Sequence, residues 1–172
     1  MDGQGDAIGI TLDNGTVLTT DVVLSATGLQ PNCDLARATG IRTNRGIVVD
    51  RHLQTTAPDV YALGDCAEVE GLVLPFIMPI THAARALAAA LAGKPAPLTY
   101  PAMPVLVKTP ACPTIVSPPA SGAAGEWQVT QEPDGVKSLF VDPSGRLLGY
   151  ALNGKATAER AKLTPQLPPV LA

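Results

Sequence analysis

The sequence predicts two architectures in succession, α/β up to about residue 98 and a small α+β unit beyond it. Three patterns carry that prediction. Residues 21–26, Asp-Val-Val-Leu-Ser-Ala, form the short continuous apolar run of a strand buried in a parallel sheet. Residues 80–92 place Ala83, Ala84, Leu87, Ala88 and Leu91 along one side of a helix rich in strong helix formers. Beyond Tyr100, extended runs at 126–131, 136–141 and 147–152 are separated by Pro133-Asp134-Gly135 and Pro143-Ser144-Gly145, the pattern of an antiparallel meander with its turns.

From the start of the chain, Gly3-Gln4-Gly5 has the look of a dinucleotide fingerprint. A fingerprint needs a strand before it and a helix after it, whereas residues 8–12 alternate like a strand. Asp13-Asn14-Gly15 then predicts a hairpin turn, because Asn-Gly tolerates the positive φ of a tight loop, and residues 17–20 return as the partner strand. The apolar run ends at Thr27-Gly28. Asn32 caps a short helix over 33–39, which Gly40 closes. Residues 41–54 alternate around a turn at Asn44-Arg45-Gly46, and Ile47-Val48-Val49-Asp50 forms a strand.

Residues 59–63 predict the next strand, with Asp65 pointing outward from its tip. Gly64 removes the side chain that would block close approach of a ligand, and a carboxylate beside it can accept hydrogen bonds from a polyol. The plain alternative is a turn capped by Asp. Pro79 falls near the start of the 80–92 helix, where a missing N–H costs nothing, and Gly93 stops it. Residues 103–109 and 114–117 are extended, and a closing helix over 156–163 turns Glu159, Arg160 and Lys162 outward. Prolines cluster between 95 and 119, a domain junction, and between 165 and 169, a tail without helix or central-strand character.

Length and composition narrow the function classes. A chain of 172 residues makes one to two small domains. Twelve Lys and Arg stand against 15 Asp and Glu, scattered and net acidic at −3, which argues against an electrostatic nucleic-acid surface. No apolar run is long enough for a membrane span and no leader pattern opens the chain, so the sequence predicts a soluble protein with a cytoplasmic address. Cys33, Cys66 and Cys112 never form Cys-x-x-Cys, and neither His52 nor His82 lies at ligand spacing from them. Neither a redox disulfide nor a metal site is expected.

The segment from Thr55 through Tyr61, Ala62, Gly64 and Asp65 resembles the second flavin-contacting motif of the pyridine nucleotide-disulfide oxidoreductase superfamily, flavoproteins with two dinucleotide-binding domains. Two flanking stretches extend the likeness. Residues 22–32 resemble the Ala-Thr-Gly motif where the chain leaves the NAD domain, and Gly46-Ile-Val-Val-Asp50 precedes the flavin motif at the superfamily's spacing. A third segment, residues 103–119, is similar to the corresponding part of bacterial rubredoxin reductases that serve alkane hydroxylation, as are Gly149-Tyr-Ala-Leu152 and the Leu-Pro tail.

This resemblance implies the C-terminal part of such a flavoprotein. Residues 1–27 would be the last strands of the NAD domain, 28–98 the second segment of the FAD domain and 99–172 the C-terminal α+β domain. It implies Asp65 on the ribityl chain of FAD and Gly64 beside it, Ile77 next to the isoalloxazine through its backbone, and Lys108 reaching the flavin. Thr27 and Gly28 would mark the crossing between domains. The helix N-terminus would face the flavin, with its positive dipole end stabilising negative charge on the reduced ring. NADH would be the donor and rubredoxin the acceptor.

No strand, Gly-rich turn and helix in this sequence can hold the FAD pyrophosphate or NADH, so the chain alone is expected to be inactive. A second reading is a non-catalytic module that self-associates through surfaces left by a missing N-terminal half. Past residue 100 there are six Lys and Arg against five Asp and Glu, a balance that gives little steering toward an acidic partner.

Overall fold

A computed structural model describes residues 7–172, and the Gly3-Gln4-Gly5 stretch lies outside them. The chain divides into two units, Met1–Gln30 and Pro31–Ala172. It is a mixed α/β chain.

In the first unit β1 (Ile8–Thr11) pairs antiparallel with β2 (Val17–Thr20), Ile8 opposite Thr20 and Thr11 opposite Val17. The expected Asn-Gly turn joins them. Gly15 takes φ of +81° and the Asn14 side-chain oxygen accepts from the Thr16 N–H at 3.0 Å. Residues 21–26, expected as a buried strand, are not one: Val22 is 76% and Leu24 87% exposed. An apolar run becomes a buried parallel strand only with neighbours on both edges, and the described part of this unit holds a single hairpin.

The second unit begins with α1 (Asp34–Ala38). Its N-cap is Cys33, with no side-chain cap bond, and not the expected Asn32, whose side chain only accepts from the Asp34 N–H at 3.3 Å one residue further out; Gly40 at φ +78° lets the chain reverse so that the Ile41 N–H reaches the Ala36 carbonyl. After the turn at Asn44–Gly46, β3 (Ile47–Val49) runs parallel to β4 (Ala67–Val69), Ile47 opposite Ala67 and Val49 opposite Val69. Here the structure corrects the sequence. Residues 59–63 are irregular, Tyr61 making one isolated bridge to Gln54, and the strand lies after Gly64-Asp65 instead of before it. Asp59 at φ +59° interrupts extended backbone at the run's start, and no strand among the described residues flanks it.

Helix α2 (Ile77–Leu91) starts three residues earlier than its periodicity predicts, with Pro79 inside the first turn, where its missing N–H breaks no hydrogen bond. Its inner face is Pro79, Ala83, Ala86 and Leu87, while Ala84, Ala88 and Leu91 are exposed, a rotation from the expected stripe. Ala83 is the pivot of one core, packed with Val49, Leu53, Ala67, Val69 and Leu98.

The C-terminal region is a five-stranded antiparallel sheet of β5 (Val105–Val107), β6 (Thr114–Ser117), β7 (Glu126–Glu132), β8 (Gly135–Val141) and β9 (Leu147–Gly154), ordered β5-β6-β9-β8-β7. The expected meander is β7-β8-β9. The closing helix is a 3₁₀ turn, Lys155–Glu159, followed by α3 (Arg160–Leu163). Tyr150, Leu152, Ala156 and Leu163 make the second core. Among the described residues no helix is long and apolar enough to cross a membrane.

Candidate functional site

Gly64-Asp65 sits in a turn that leads into β4. The Ala67 N–H donates to the Gly64 carbonyl at 3.0 Å, and Gly64 takes φ of +89°, a conformation that favours glycine. A Cβ built on Gly64 would meet nothing within 4 Å, so the space over this backbone is open to a ligand. Asp65 is exposed. The expectation of a carboxylate at the tip of a strand is therefore corrected to a carboxylate on a turn at a strand's entrance.

That turn is held from behind by a group that sequence reasoning missed. Glu68 in β4 is only 4% exposed. Its carboxylate accepts from the Asn44 side-chain amide at 2.9 Å and from the Gly46 N–H at 2.9 Å. Beside it, the Ile47 N–H donates to the Cys66 carbonyl at 2.7 Å. Burial pushes the Glu68 carboxyl up, but the hydrogen bonds from Asn44 and from the Gly46 and Arg45 backbone, with the Arg45 charge, outweigh it and leave the pKa below the usual glutamate range. A Cβ on Gly46 would stand 2.9 Å from the Cys66 oxygen, so glycine is required there by proximity. The one available sequence signal was an acidic residue between Ala67 and Val69, where an apolar one would suit a buried parallel strand.

The start of α2 adjoins the same turn. Gly64, Ala67, Pro79, Ile80 and Ala83 line one small cavity of about 10 Å³. Phe76 enters the helix with extended backbone, no side chain caps the N-terminus, and no acidic residue occupies the first turn. The helix N–H groups and positive dipole end are thus left without an internal acceptor, and Ile77 is 75% exposed at that end.

The remaining site residues lie elsewhere. Lys108 is exposed directly after the edge strand β5 and does not line the cavity shared by Gly64 and Pro79. Thr27 and Gly28 belong to the first unit, in an exposed irregular stretch where Gly28 takes φ of +98°. Two larger concavities open on the second unit. One of about 560 Å³ is lined by α1 and the 55–62 segment, including Leu35, Ile41, Val60 and Tyr61; another of about 310 Å³ lies between Phe76, Met103, Pro118 and the Leu167–Val170 tail. No group of three or more potential metal ligands occurs among the described residues.

The chain is 48% identical over 169 residues to the rubredoxin-NAD(+) reductase of Alcanivorax borkumensis, covering 98% of the chain and 44% of that protein. It is 42% identical over 169 residues to the nitric oxide reductase FlRd-NAD(+) reductase of Aeromonas salmonicida, again 98% of the chain and 44% of that protein. Among solved structures, a ferredoxin reductase of Rhodopseudomonas palustris superposes with a TM-score of 0.77 at 26% identity, over 92% of this chain and 41% of that one. The chain thus spans under half the length of the curated relatives it matches. Residues 97–167 match the family model of the rubredoxin binding C-terminal domain. With residues 1–90 matching the model of the pyridine nucleotide-disulphide oxidoreductases, more than half of the sequence, the chain belongs to that family.

Proposed function

We propose that this chain is the C-terminal part of an FAD-dependent reductase that passes electrons from NADH to rubredoxin, in the service of alkane hydroxylation. The observation that carries the reading is the open, glycine-lined turn of Asp65 set against the uncapped start of α2. FAD, when bound, takes a hydride from NADH and releases the two electrons singly to a one-electron iron centre. The chain's own residues bind and tune. Asp65 accepts hydrogen bonds from ribityl hydroxyls, and Gly64 leaves room for the sugar chain to approach the backbone. The N–H groups at Ile77 and the helix dipole favour negative charge at the helix end. Lys108 supplies a cation from the C-terminal region, and Thr27-Gly28 marks the passage between the end of an NAD domain (1–27) and the FAD segment (28–98), with 99–172 as the domain that meets rubredoxin.

Only part of a flavin site is contained here, and the chain alone is inactive in this reading. Purified by itself it takes up no stoichiometric FAD and oxidises no NADH in the presence of rubredoxin. In the reductase that contains it, Asp65→Ala loses flavin. A flavin content unchanged by Asp65→Ala, read from visible absorbance, refutes the role given to that residue.

A second reading has its own support. Val60, Tyr61 and Ala62, whose one ladder contact is the isolated Tyr61–Gln54 bridge, border the apolar concavity of about 560 Å³. A module of this kind would pair with a second copy through that face. Light scattering separates the readings: a stable, colourless dimer that FAD does not alter favours the module, and a monomer removes it.

A further inference from the structure

We propose that Glu68 is a positioning residue for Asp65, fixing the turn that presents the flavin-binding carboxylate. The inference rests on the reading of Asp65 as a flavin ligand. Four hydrogen bonds connect the two residues without their touching. Glu68 pulls the Asn44–Gly46 turn onto β4 through two hydrogen bonds of 2.9 Å. The docked turn puts the Ile47 N–H 2.7 Å from the carbonyl of Cys66, the residue directly after Asp65. The Ala67 N–H, 3.0 Å from the Gly64 carbonyl, closes the turn on the other side of Asp65. The peptide units around Asp65 are therefore held at both ends while its side chain stays exposed.

An alternative role for Glu68 is bulk stability of the core. Its chemistry favours positioning. A buried carboxylate in the middle of a three-residue parallel strand is a costly way to fill space, and it satisfies donors that belong to a different segment of the chain. Gly46 sharpens the point, because a Cβ there would collide with the Cys66 oxygen and keep the turn from docking.

The test has two arms. In the chain itself, labelled with ¹⁵N, hydrogen exchange is followed at the Ala67 and Ile47 amides for wild type, Glu68→Gln and Glu68→Asp. Glu68→Gln, which sets an amide against existing donors, is expected to speed exchange at both amides at least tenfold while the Tyr150 and Leu152 amides keep their rates. A uniform rise at all four amides means a global loss of stability and overturns positioning. In the flavin-loaded reductase containing this chain, FAD dissociation constants are measured for Glu68→Gln, Asp65→Asn and the double variant. Glu68→Gln is expected to weaken FAD about tenfold, with the double variant no weaker than Asp65→Asn alone, because Glu68 acts through Asp65. Additive effects overturn the proposal. If Asp65→Asn leaves FAD affinity unchanged, the flavin reading fails by itself, and the exchange arm still decides whether Glu68 holds the turn.

Discussion

Gly46→Ala tests the clasp between the Asn44–Gly46 turn and β4 by steric means alone. The backbone at Gly46 does not require positive φ, so the substitution brings no conformational strain of its own. Its cost comes from contact: the new Cβ would lie 2.9 Å from the Cys66 carbonyl oxygen and 3.1 Å from both the Glu68 Cβ and N. Backbone atoms held in a parallel ladder cannot move aside as a flexible side chain would. Two escapes exist. Either the strand shifts and bears an overpacking cost of about 1–3 kcal/mol, or the turn lifts and the charged Glu68 loses its Gly46 hydrogen bond, worth about 1.5–3 kcal/mol. They relieve one clash, so they are alternatives and do not add. The expected loss is about 2 kcal/mol, roughly a factor of thirty in the folding equilibrium. Urea unfolding by far-UV circular dichroism and by fluorescence of Trp127, which sits in β7 beside Phe140, measures it. Gly9→Ala in β1 is the control, since nothing lies within 4 Å of its Cβ position. A loss below about 0.5 kcal/mol, within the range of ordinary surface changes, refutes the close approach and with it the reason for glycine at this position.

Three further outcomes follow from the packing. Leu152→Ala, at a fully buried position of the second core, should cost about 2–5 kcal/mol in urea or thermal unfolding. Tyr150→Phe should cost about 1 kcal/mol, because the Thr164 hydroxyl donates to the Arg160 carbonyl and so accepts at 2.7 Å from the Tyr150 hydroxyl; equal stability of the two proteins would refute that bond. Acid should loosen the first core through Glu68. Its folded pKa is depressed, so its contribution is complete above the unfolded glutamate pKa and is lost as pH falls through the lower folded value. The protection factor at Ala67, which removes the acid slowing of intrinsic exchange, should therefore fall on acidification further in wild type than in Glu68→Gln, and identical acid profiles would refute the linkage.

What the sequence disclosed depended on how local each element is. The Asn14-Gly15 hairpin, the short helix closed by Gly40 and the β7-β8-β9 meander are specified by turn residues within a few positions of the strands or helix they connect, and all three appear in the structure, although the helix is capped at Cys33 and not at Asn32. The start of α2 was misplaced because the residues preceding Pro79 carry no capping side chain to announce it. Glu68 was missed because its partners, Asn44 and Gly46, lie more than twenty residues away and no local pattern links them. Of the proposed site, Gly64 and Asp65 were legible as an open backbone beside a carboxylate, but at a strand's tip and not in a turn at a strand's entrance. Their adjacency to the helix start was not, since it arises through the shared packing of Ala67 and Ala83.

The two runs that failed as strands, 21–26 and 59–63, share a cause that bears on function. Each has the composition of a strand in a parallel sheet, and each is irregular and largely exposed. Composition specifies burial, but only a neighbouring ladder supplies hydrogen bonds for the backbone, and such neighbours are non-local by necessity. β3 and β4 form a sheet of only two parallel strands, whereas parallel sheets of this family type are covered and extended on both sides. In the reading of the chain as the C-terminal part of a reductase, these runs are where further strands belong, and the chain spans 44% of the relatives it matches. Supplying those strands in trans discriminates between incomplete partnering and a settled module. Mixed with the complementary N-terminal half of the reductase, the chain should protect the Tyr61 and Leu63 amides from exchange and gain flavin together. Because the Val60 and Ala62 N–H groups already donate to the Ala57 and Leu53 carbonyls, protection of the Tyr61 and Leu63 amides in the isolated chain would mean pairing between copies, and the self-associating module would then be the better account.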